Sequence, residues 1–334
     1  MALAPPLRPF TAPRAALVAT HGADAFARLP YCCRILAENL LRTLAANDRA
    51  PLLDALLQRR HDVVFPFRPA RVMLELDGAP ALIDLAGLQR ASAARRDPPN
   101  PRFASRQGQV ASATPRHALD LLDALMPGRG IVRRLDLAAA SPVIGTEQGI
   151  PFPDTVISDS PHAAALAALG VLGWRAGVHD TQTLLRGQPL PLRLPSIIGL
   201  ELVGVRQPAC SATALAHALA AFLRRHAVDG AIVECRGPGV ATLSMSERAA
   251  IATQAPAAGA RCALFAIDAT TLDFLQRSAR APAAVRLVDA YSRSQGLTPD
   301  TLDRADYDRR LVFDLAAPAA TASTMARASV GGLS

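Results

Sequence analysis

Four polar residues in two short segments have the types and spacing of a site for a small anion. Asp159, Ser160 and His162 follow an apolar segment and precede the alanine-rich stretch that begins at Ala163. A strand-to-helix loop of this kind presents a hydroxyl and backbone N–H groups to an anion at the helix N-terminus. His162 titrates near neutral pH and is the natural general acid or base. Arg133 can bind a carboxylate through two parallel hydrogen bonds.

Glu234 is a fifth candidate. It lies near the end of the apolar segment Ala231–Cys235, which is typical of a buried strand. A carboxyl group in that place acts as an acid or a base if burial raises its pKa. Each candidate also has a structural interpretation: a helix cap for Asp159 and Ser160, an exposed loop residue for His162, a surface pair for Arg133 with Arg134, and a salt-bridge partner for Glu234.

The cysteine content indicates a reducing compartment, and the hydropathy indicates that the chain does not cross a membrane. The five cysteines are odd in number and form no Cys-x-x-Cys pair, so a disulfide framework is not expected; they are Cys32, Cys33, Cys210, Cys235 and Cys262. No apolar run reaches the roughly 18 residues that span a bilayer. The first fourteen residues lack the apolar core of a signal peptide. We therefore expect a cytoplasmic protein without a membrane partner.

The charge does not indicate a nucleic-acid partner. The formal net charge is +8 with a pI of about 10.2, and every basic side chain is an arginine. The arginines are scattered in single positions and doublets, and no basic run interleaves with aromatic residues as nucleic-acid surfaces require. The pattern favours a solvated basic surface or a site for a small anion, and no nucleic acid.

The candidates need strands and helices that hold them, and the sequence predicts both. Strands and helices alternate after residue 127, which predicts an α/β fold of layered, partly parallel sheets flanked by helices. We expect strands at Ile197–Gly204, Ala231–Cys235 and Cys262–Asp268, and helices at Leu29–Leu44, Ala50–Arg59, Ala163–Trp174, Ser211–His226 (with Ser211 as N-cap), Ser246–Gln254 and Thr270–Gln276. The predicted organisation is an irregular lead-in over 1–25, a first α/β segment over 26–126 with a shortened loop at 91–116, a second α/β domain over 127–315 and a flexible tail over 316–334.

Several segments, all in the same order, resemble the aconitase family, in particular the N-terminal domains of iron–sulfur 2-methylcitrate dehydratases and bacterial aconitases. The resemblance covers about residues 26–315 and implies the fold of the first domains of aconitase. The similar segments are Leu29–Arg42, Phe67–Val72, Ala81–Ala86, Phe152–Ser160 (which leads into the family's Thr-Asp-Ser-His motif), Ala231–Gly239 (the family's Val-Glu-aromatic-x-Gly-Pro-Gly strand and turn) and Asp306–Leu315.

The resemblance also implies a [4Fe–4S] cluster, whose open iron acts as a Lewis acid on the substrate. Family members hold it with cysteines of a Ser-Cys-Thr-Asn and a Cys-x-x-Cys motif, and neither motif occurs in this sequence. The family's Asp-His-Ser motif is missing near residues 100–115. Arg133 stands where the family has the histidine of Gly-Ile-x-His, and His162 comes one place later than the histidine of Asp-Ser-His. We therefore expect no cofactor and no metal.

Our leading hypothesis is a cluster-free, aconitase-like enzyme of specialised metabolism that dehydrates, hydrates or isomerises a small carboxylate. Arg133 would bind a carboxylate, Asp159 and the catalytic Ser160 would position the substrate, and His162 and Glu234 would move protons. One alternative is a degenerate, non-catalytic protein that binds a ligand or regulates a partner. Another is one subunit of a split dehydratase. We expect a homo-oligomer or a heteromer in each case.

Overall fold

The structure is a computed structural model that describes residues 12–74, 108–111, 132–135, 155–158, 161–185, 188–277 and 282–316. For some of these residues, Arg133 and His162 among them, it describes the backbone alone. The predicted α/β class is confirmed, because helices flank two parallel sheets. In the part of the chain that the structure describes, no helix is both long and apolar enough to cross a membrane.

Three helices open the described chain: α1 (Pro13–Ala27), α2 (Tyr31–Thr43) and α3 (Ala46–Leu57). Helix α1 corrects the prediction of an irregular lead-in for residues 13–25. Its proline stands at the first helical position, where the missing N–H costs no hydrogen bond. Helix α2 is buried without interruption from Tyr31 to Leu41, as expected for a helix enclosed by the core.

The described residues contain eleven strands: β1 (Val64–Phe67), β2 (Arg71–Leu74), β3 (Gly108–Ala111), β4 (Val132–Leu135), β5 (Thr155–Ser158), β6 (Leu172–Arg175), β7 (Leu190–Arg193), β8 (Ile197–Val203), β9 (Ile232–Arg236), β10 (Cys262–Phe265) and β11 (Arg309–Asp314). One parallel sheet has the order β4-β3-β2-β5-β6 and another the order β10-β9-β8-β11, while β1 and β7 form an antiparallel pair. The proposed division after residue 126 passes through the five-stranded sheet, since β2 pairs with β5.

Five further helices complete the layers: α4 (Val178–Leu185), α5 (Ala212–Arg225), α6 (Met245–Gln254), α7 (Ala269–Arg277) and α8 (Pro282–Ser294). The predicted cap of α5 is confirmed, because the Ser211 hydroxyl accepts from the backbone N–H of Ala214. The N-cap of α6 is Ser244, which forms a reciprocal capping box with Glu247.

The segment after β5 differs from its prediction. A helix was expected over Ala163–Trp174, but a 3-10 helix runs from Pro161 to Leu169 and strand β6 follows it. Gly170 separates the two with a φ of 81°, and a Cβ there would lie 2.6 Å from the Tyr31 hydroxyl. The chain must therefore turn at Gly170, and Trp174 stacks on Phe67 from within the strand.

The 3-10 helix connects the two parallel sheets. It packs against α6, β6 and β10, and its residues from Ala163 to Leu169 are almost all buried. The core is mainly aliphatic. The family-like segment Ala81–Ala86, the tail from residue 317 and most of the predicted loop at 91–116 lie outside the described residues, although β3 falls within that loop.

Candidate functional site

Of the predicted anion-binding residues, the structure describes the backbones of Arg133, in the five-stranded sheet, and of His162, in the 3-10 helix that packs against it. In parallel sheets, ligands bind outside the carboxyl ends of the strands. Asp159 and Ser160 come directly after β5 but lie outside the described residues, and His162 is the second residue of the 3-10 helix. Arg133 is the second residue of β4.

The strand register shows how far apart these positions are. Ser158, Met73, Gln109 and Val132 form one row across β5, β2, β3 and β4. Arg133 is one residue beyond this row toward the carboxyl ends of the strands. Three strand spacings of about 4.8 Å separate β4 from β5, so the backbones lie about 14 Å apart along the edge. The backbone of Arg133 is therefore not in contact with the end of β5.

Glu234 lies in the other sheet, where its carboxylate is held by three donors. The backbone N–H of Tyr31 donates to Oε2 (3.0 Å), the backbone N–H of Cys32 donates to Oε1 (2.8 Å), and the Tyr307 hydroxyl donates to Oε2 (3.1 Å). The side chain is only 3% exposed. We call these four residues the Glu234 cluster.

The sequence at the start of α2 explains why Glu234 is needed there. The N-cap residue is Pro30, which has no side-chain oxygen to accept from the free N–H groups of the first turn. Glu234 supplies that acceptor from strand β9. Its negative charge also lies at the positive end of the helix dipole. Its contacts are thus those of a helix cap, and its acid/base role stays a prediction.

Tyr307 reaches Glu234 because Gly199 leaves room for the ring. Gly199 lies opposite Glu234 in the pairing of β8 with β9, and a Cβ on it would lie 2.7 Å from the Tyr307 ring. The guanidinium groups of Arg236 and Arg310 lie over that ring, each 5.6 Å from its centroid. Burial, and then the charge of Glu234, raise the pKa of Tyr307 far above its usual range. The hydroxyl therefore stays protonated and donates.

The Glu234 cluster is hydrogen-bonded to the C-terminal end of the 3-10 helix, whereas His162 lies near its N-terminal end. The Tyr31 hydroxyl donates to the Gly170 carbonyl oxygen (2.9 Å), just past that helix. Burial, followed by the charge of Glu234, raises the pKa of Tyr31, so this donor too remains neutral. Eight residues at about 2 Å each place His162 roughly 16 Å from Gly170 along the axis. The structure does not bring the two predicted proton-moving residues together at one end of this helix.

The cysteines of this chain do not fit an iron–sulfur cluster. All five are buried free thiols. Cys235 and Cys262 lie three register positions apart on neighbouring strands, about 10 Å along the sheet. Cluster ligands are thiolates, but burial raises the pKa of Cys32 and of Cys235, and raises that of Cys262 to about 12. Among the described residues, no three His, Cys, Asp or Glu side chains are grouped to hold a metal ion.

Sequence reasoning missed two buried arginines that hold the layers together. Arg248 is fully buried and forms two hydrogen bonds with the Asp268 carboxylate, at 2.8 and 2.6 Å. Arg34 is 1% exposed and donates to the Leu29 carbonyl oxygen (2.9 Å) and to both Oγ1 and O of Thr301 (3.0 Å each). Burial lowers the pKa of Arg34 to about 10. A buried cation leaves no pattern in the sequence that separates it from a surface arginine.

The fold is that of an α/β protein with two parallel sheets joined by a 3-10 helix. Comparison with known proteins identifies the family. The model of the aconitase family (aconitate hydratase) matches residues 125–329, which is more than half of the chain. The chain belongs to the aconitase family.

Individual relatives agree with this. Aconitate hydratase A of Cupriavidus necator is 36% identical over 329 residues, which cover 87% of this chain and 38% of the relative. The 2-methylcitrate dehydratase (2-methyl-trans-aconitate forming) of Shewanella oneidensis is 35% identical, with the same coverage. The phosphinomethylmalate isomerase of Streptomyces viridochromogenes is 35% identical over 86% of this chain and 37% of its own length. The chain thus spans a little over a third of the length of these relatives.

Proposed function

We propose that this chain acts in the cytoplasm on a small carboxylated metabolite, as a hydro-lyase or isomerase that uses acid/base groups and no cluster held by its own cysteines. The relatives named above are a hydratase, a dehydratase and an isomerase, which supports this reaction class. The observation that supports the proposal is the register of the five-stranded sheet, in which Arg133 lies one residue beyond the row that contains Ser158, the last residue of β5.

The proposed chemistry needs a cation that binds the substrate and a group that moves a proton. Arg133 binds a substrate carboxylate, while Asp159 and Ser160 orient the substrate. His162 takes the proton from the carbon beside that carboxylate, and the bond between the neighbouring carbon and its hydroxyl breaks. The departing hydroxyl takes that proton back from His162 and leaves as water. Hydration is the reverse reaction. Dehydration followed by hydration at the other carbon isomerises a hydroxy acid.

A comparison of two neighbouring arginines tests the binding role. Arg134→Gln removes the neighbouring arginine of β4 and is the control for Arg133→Gln. Turnover of hydroxy di- and tricarboxylates is measured with both variants. We expect Arg133→Gln to raise KM by about tenfold or more, the loss of one charge-assisted contact, with Arg134→Gln close to wild type. Equal effects of the two substitutions would remove Arg133 from the site.

A second candidate function is that of one part of a multi-component dehydratase. Strand β11 forms an edge of the four-stranded sheet among the described residues, and Val312 on it is 58% exposed. An open edge strand is a template for pairing with another chain. Size-exclusion chromatography with iron analysis of a co-purified complex distinguishes the candidates: an iron-containing heteromer favours the second, and an active, iron-free protein without a partner chain favours the first.

A further inference from the structure

A polar cavity lies where α1 and α3 end. It is open to solvent, and its volume is about 640 Å³. The polar walls come from the last turns of the two helices and from the segment that leads into β11, and they are Asp24, Arg28, Gln58, Arg59, Asp306 and Asp308. We call this space the α1–α3 cavity.

Several charges of the α1–α3 cavity are already neutralised within the protein. Arg59 forms an ion pair with Asp308, and Asp24 forms one with Arg304 at 3.0 Å. The second oxygen of Asp308, Oδ2, accepts from the backbone N–H of Ile197 at 2.7 Å. These groups therefore form the walls of the cavity and have little capacity left for a ligand.

Two opposite charges remain. In the part of the chain that the structure describes, neither the Arg28 guanidinium nor the Asp306 carboxylate has a hydrogen bond or an ion pair. Both side chains are exposed. Their backbones are joined, because the N–H of Asp306 donates to the carbonyl oxygen of Arg28 at 2.8 Å. Arg28 and Asp306 thus border the same cavity, and neither is paired with another described residue.

Arg59 holds the Asp306 side of the cavity in place. Its backbone is left-handed, with a φ of 54°, at the position after α3 where glycine is usually found. From there its guanidinium donates to the Asp306 carbonyl oxygen as well as to Asp308. The Nε of Arg59 is buried and has no hydrogen-bond partner. A strained backbone conformation persists only where the surrounding contacts hold it, and such positions cluster at ligand sites.

We propose that the α1–α3 cavity binds a free α-amino acid. The ligand's ammonium group pairs with Asp306 and its carboxylate pairs with Arg28. Two helix C-termini face this region, and their negative dipole ends favour the ammonium group. A simple carboxylate would leave Asp306 without a partner, and a simple amine would leave Arg28 without one. A zwitterion satisfies both groups and adds no net charge.

The test is calorimetric titration of the full chain. A panel of free proteinogenic amino acids is screened by thermal shift at millimolar concentration, and the strongest one is titrated. Its two matched analogues are titrated beside it: the acid that lacks the amine and the amine that lacks the carboxylate. We expect saturable binding of the amino acid, with each analogue weaker by about tenfold or more because one charge-assisted contact is lost.

Four exposed-site variants complete the test. Arg28→Gln and Asp306→Asn should each weaken binding by about tenfold. Their matched controls, Arg225→Gln and Asp303→Asn, remove exposed charges elsewhere and should leave binding unchanged. Circular dichroism verifies that each variant is folded. Absence of saturable binding to every amino acid of the panel overturns the proposal, as does binding that Arg28→Gln and Asp306→Asn leave unchanged.

Discussion

The Glu234 cluster and the segment 159–162 contain similar residue types in different surroundings. Glu234 lies inside a buried strand, where its carboxylate accepts from two helix N–H groups and a hydroxyl. Asp159, Ser160 and His162 follow the end of β5, at the carboxyl edge of the five-stranded sheet. A buried charge must have partners that stabilise it, whereas side chains beyond a strand end can meet a ligand. The difference teaches that position within the strand, and not residue type alone, decides whether a carboxylate is held by the protein's own donors.

The largest expected effect is that of Glu234→Ala on stability. The substitution leaves the N–H groups of Tyr31 and Cys32 and the Tyr307 hydroxyl without their acceptor. We expect the free energy of unfolding to fall by about 3 kcal/mol, since each unsatisfied buried donor costs about 1 kcal/mol or more. Urea denaturation followed by circular dichroism measures it. Glu201→Ala, a half-buried carboxylate on β8, is the control and should change stability by no more than about 0.5 kcal/mol. If Glu234→Ala also lowers the free energy of unfolding by no more than about 0.5 kcal/mol, the cap contributes little to stability.

Gly199→Ala should have the next largest effect. The new Cβ would lie 2.7 and 2.8 Å from two atoms of the Tyr307 ring, which must move away from Glu234. We expect a loss of about 2 kcal/mol, typical of an overpacked core. Gly177→Ala serves as the control, because no atom lies within 4 Å of its added Cβ. Equal stability of both variants would mean that the ring does not depend on the space at Gly199.

Tyr307→Phe removes a single hydrogen bond of the Glu234 cluster. The ring stays between Arg236 and Arg310, and Glu234 keeps its two backbone donors. We therefore expect a loss of about 1 kcal/mol in thermal and urea unfolding. Because burial and the charge of Glu234 raise the pKa of Tyr307, its phenol absorbance should not titrate below the pH at which the protein unfolds. An alkaline transition in the folded protein would contradict this placement.

The smallest effects on stability are expected at the edge of the five-stranded sheet. His162→Ala and Arg133→Gln should change the free energy of unfolding by no more than about 0.5 kcal/mol, as substitutions away from the core do. The same variants should lose most of their turnover. A stability loss comparable to that of Glu234→Ala would assign these residues a structural role and remove the contrast between the two regions.

The sequence predicts the elements whose patterns are local and misses those that long-range contacts decide. Helix α5 and its Ser211 cap, and strands β8, β9 and β10, follow from periodicity and local hydrogen bonding. The turn at Gly170 could not be predicted, because it depends on the Tyr31 hydroxyl from a helix 139 positions away. Helix α1 was missed because prolines and a mid-segment glycine weaken its helical pattern.

The candidate site shows the same limit. Its residue types and their order along the chain could be predicted, and the edge of the five-stranded sheet follows from the alternation of strands and helices. The role of Glu234 as the cap of α2 could not be predicted. Glu234 lies some 200 positions from Pro30, the N-cap residue whose side chain cannot accept a hydrogen bond. One feature of the sequence pointed to the segment of Tyr307, namely the similarity of Asp306–Leu315 to the family. That similarity does not indicate that Tyr307 contacts Glu234.

Turnover by the iron-depleted chain tests the central claim most directly. Hydroxy di- and tricarboxylates, citrate and 2-methylcitrate among them, are offered to protein whose iron content has been measured after chelation. We predict that wild-type turnover persists without iron and that His162→Ala lowers it by about 100-fold or more, the usual contribution of a general acid or base. Turnover that rises and falls with iron content, or that His162→Ala leaves intact, would contradict an acid/base site at the edge of the five-stranded sheet.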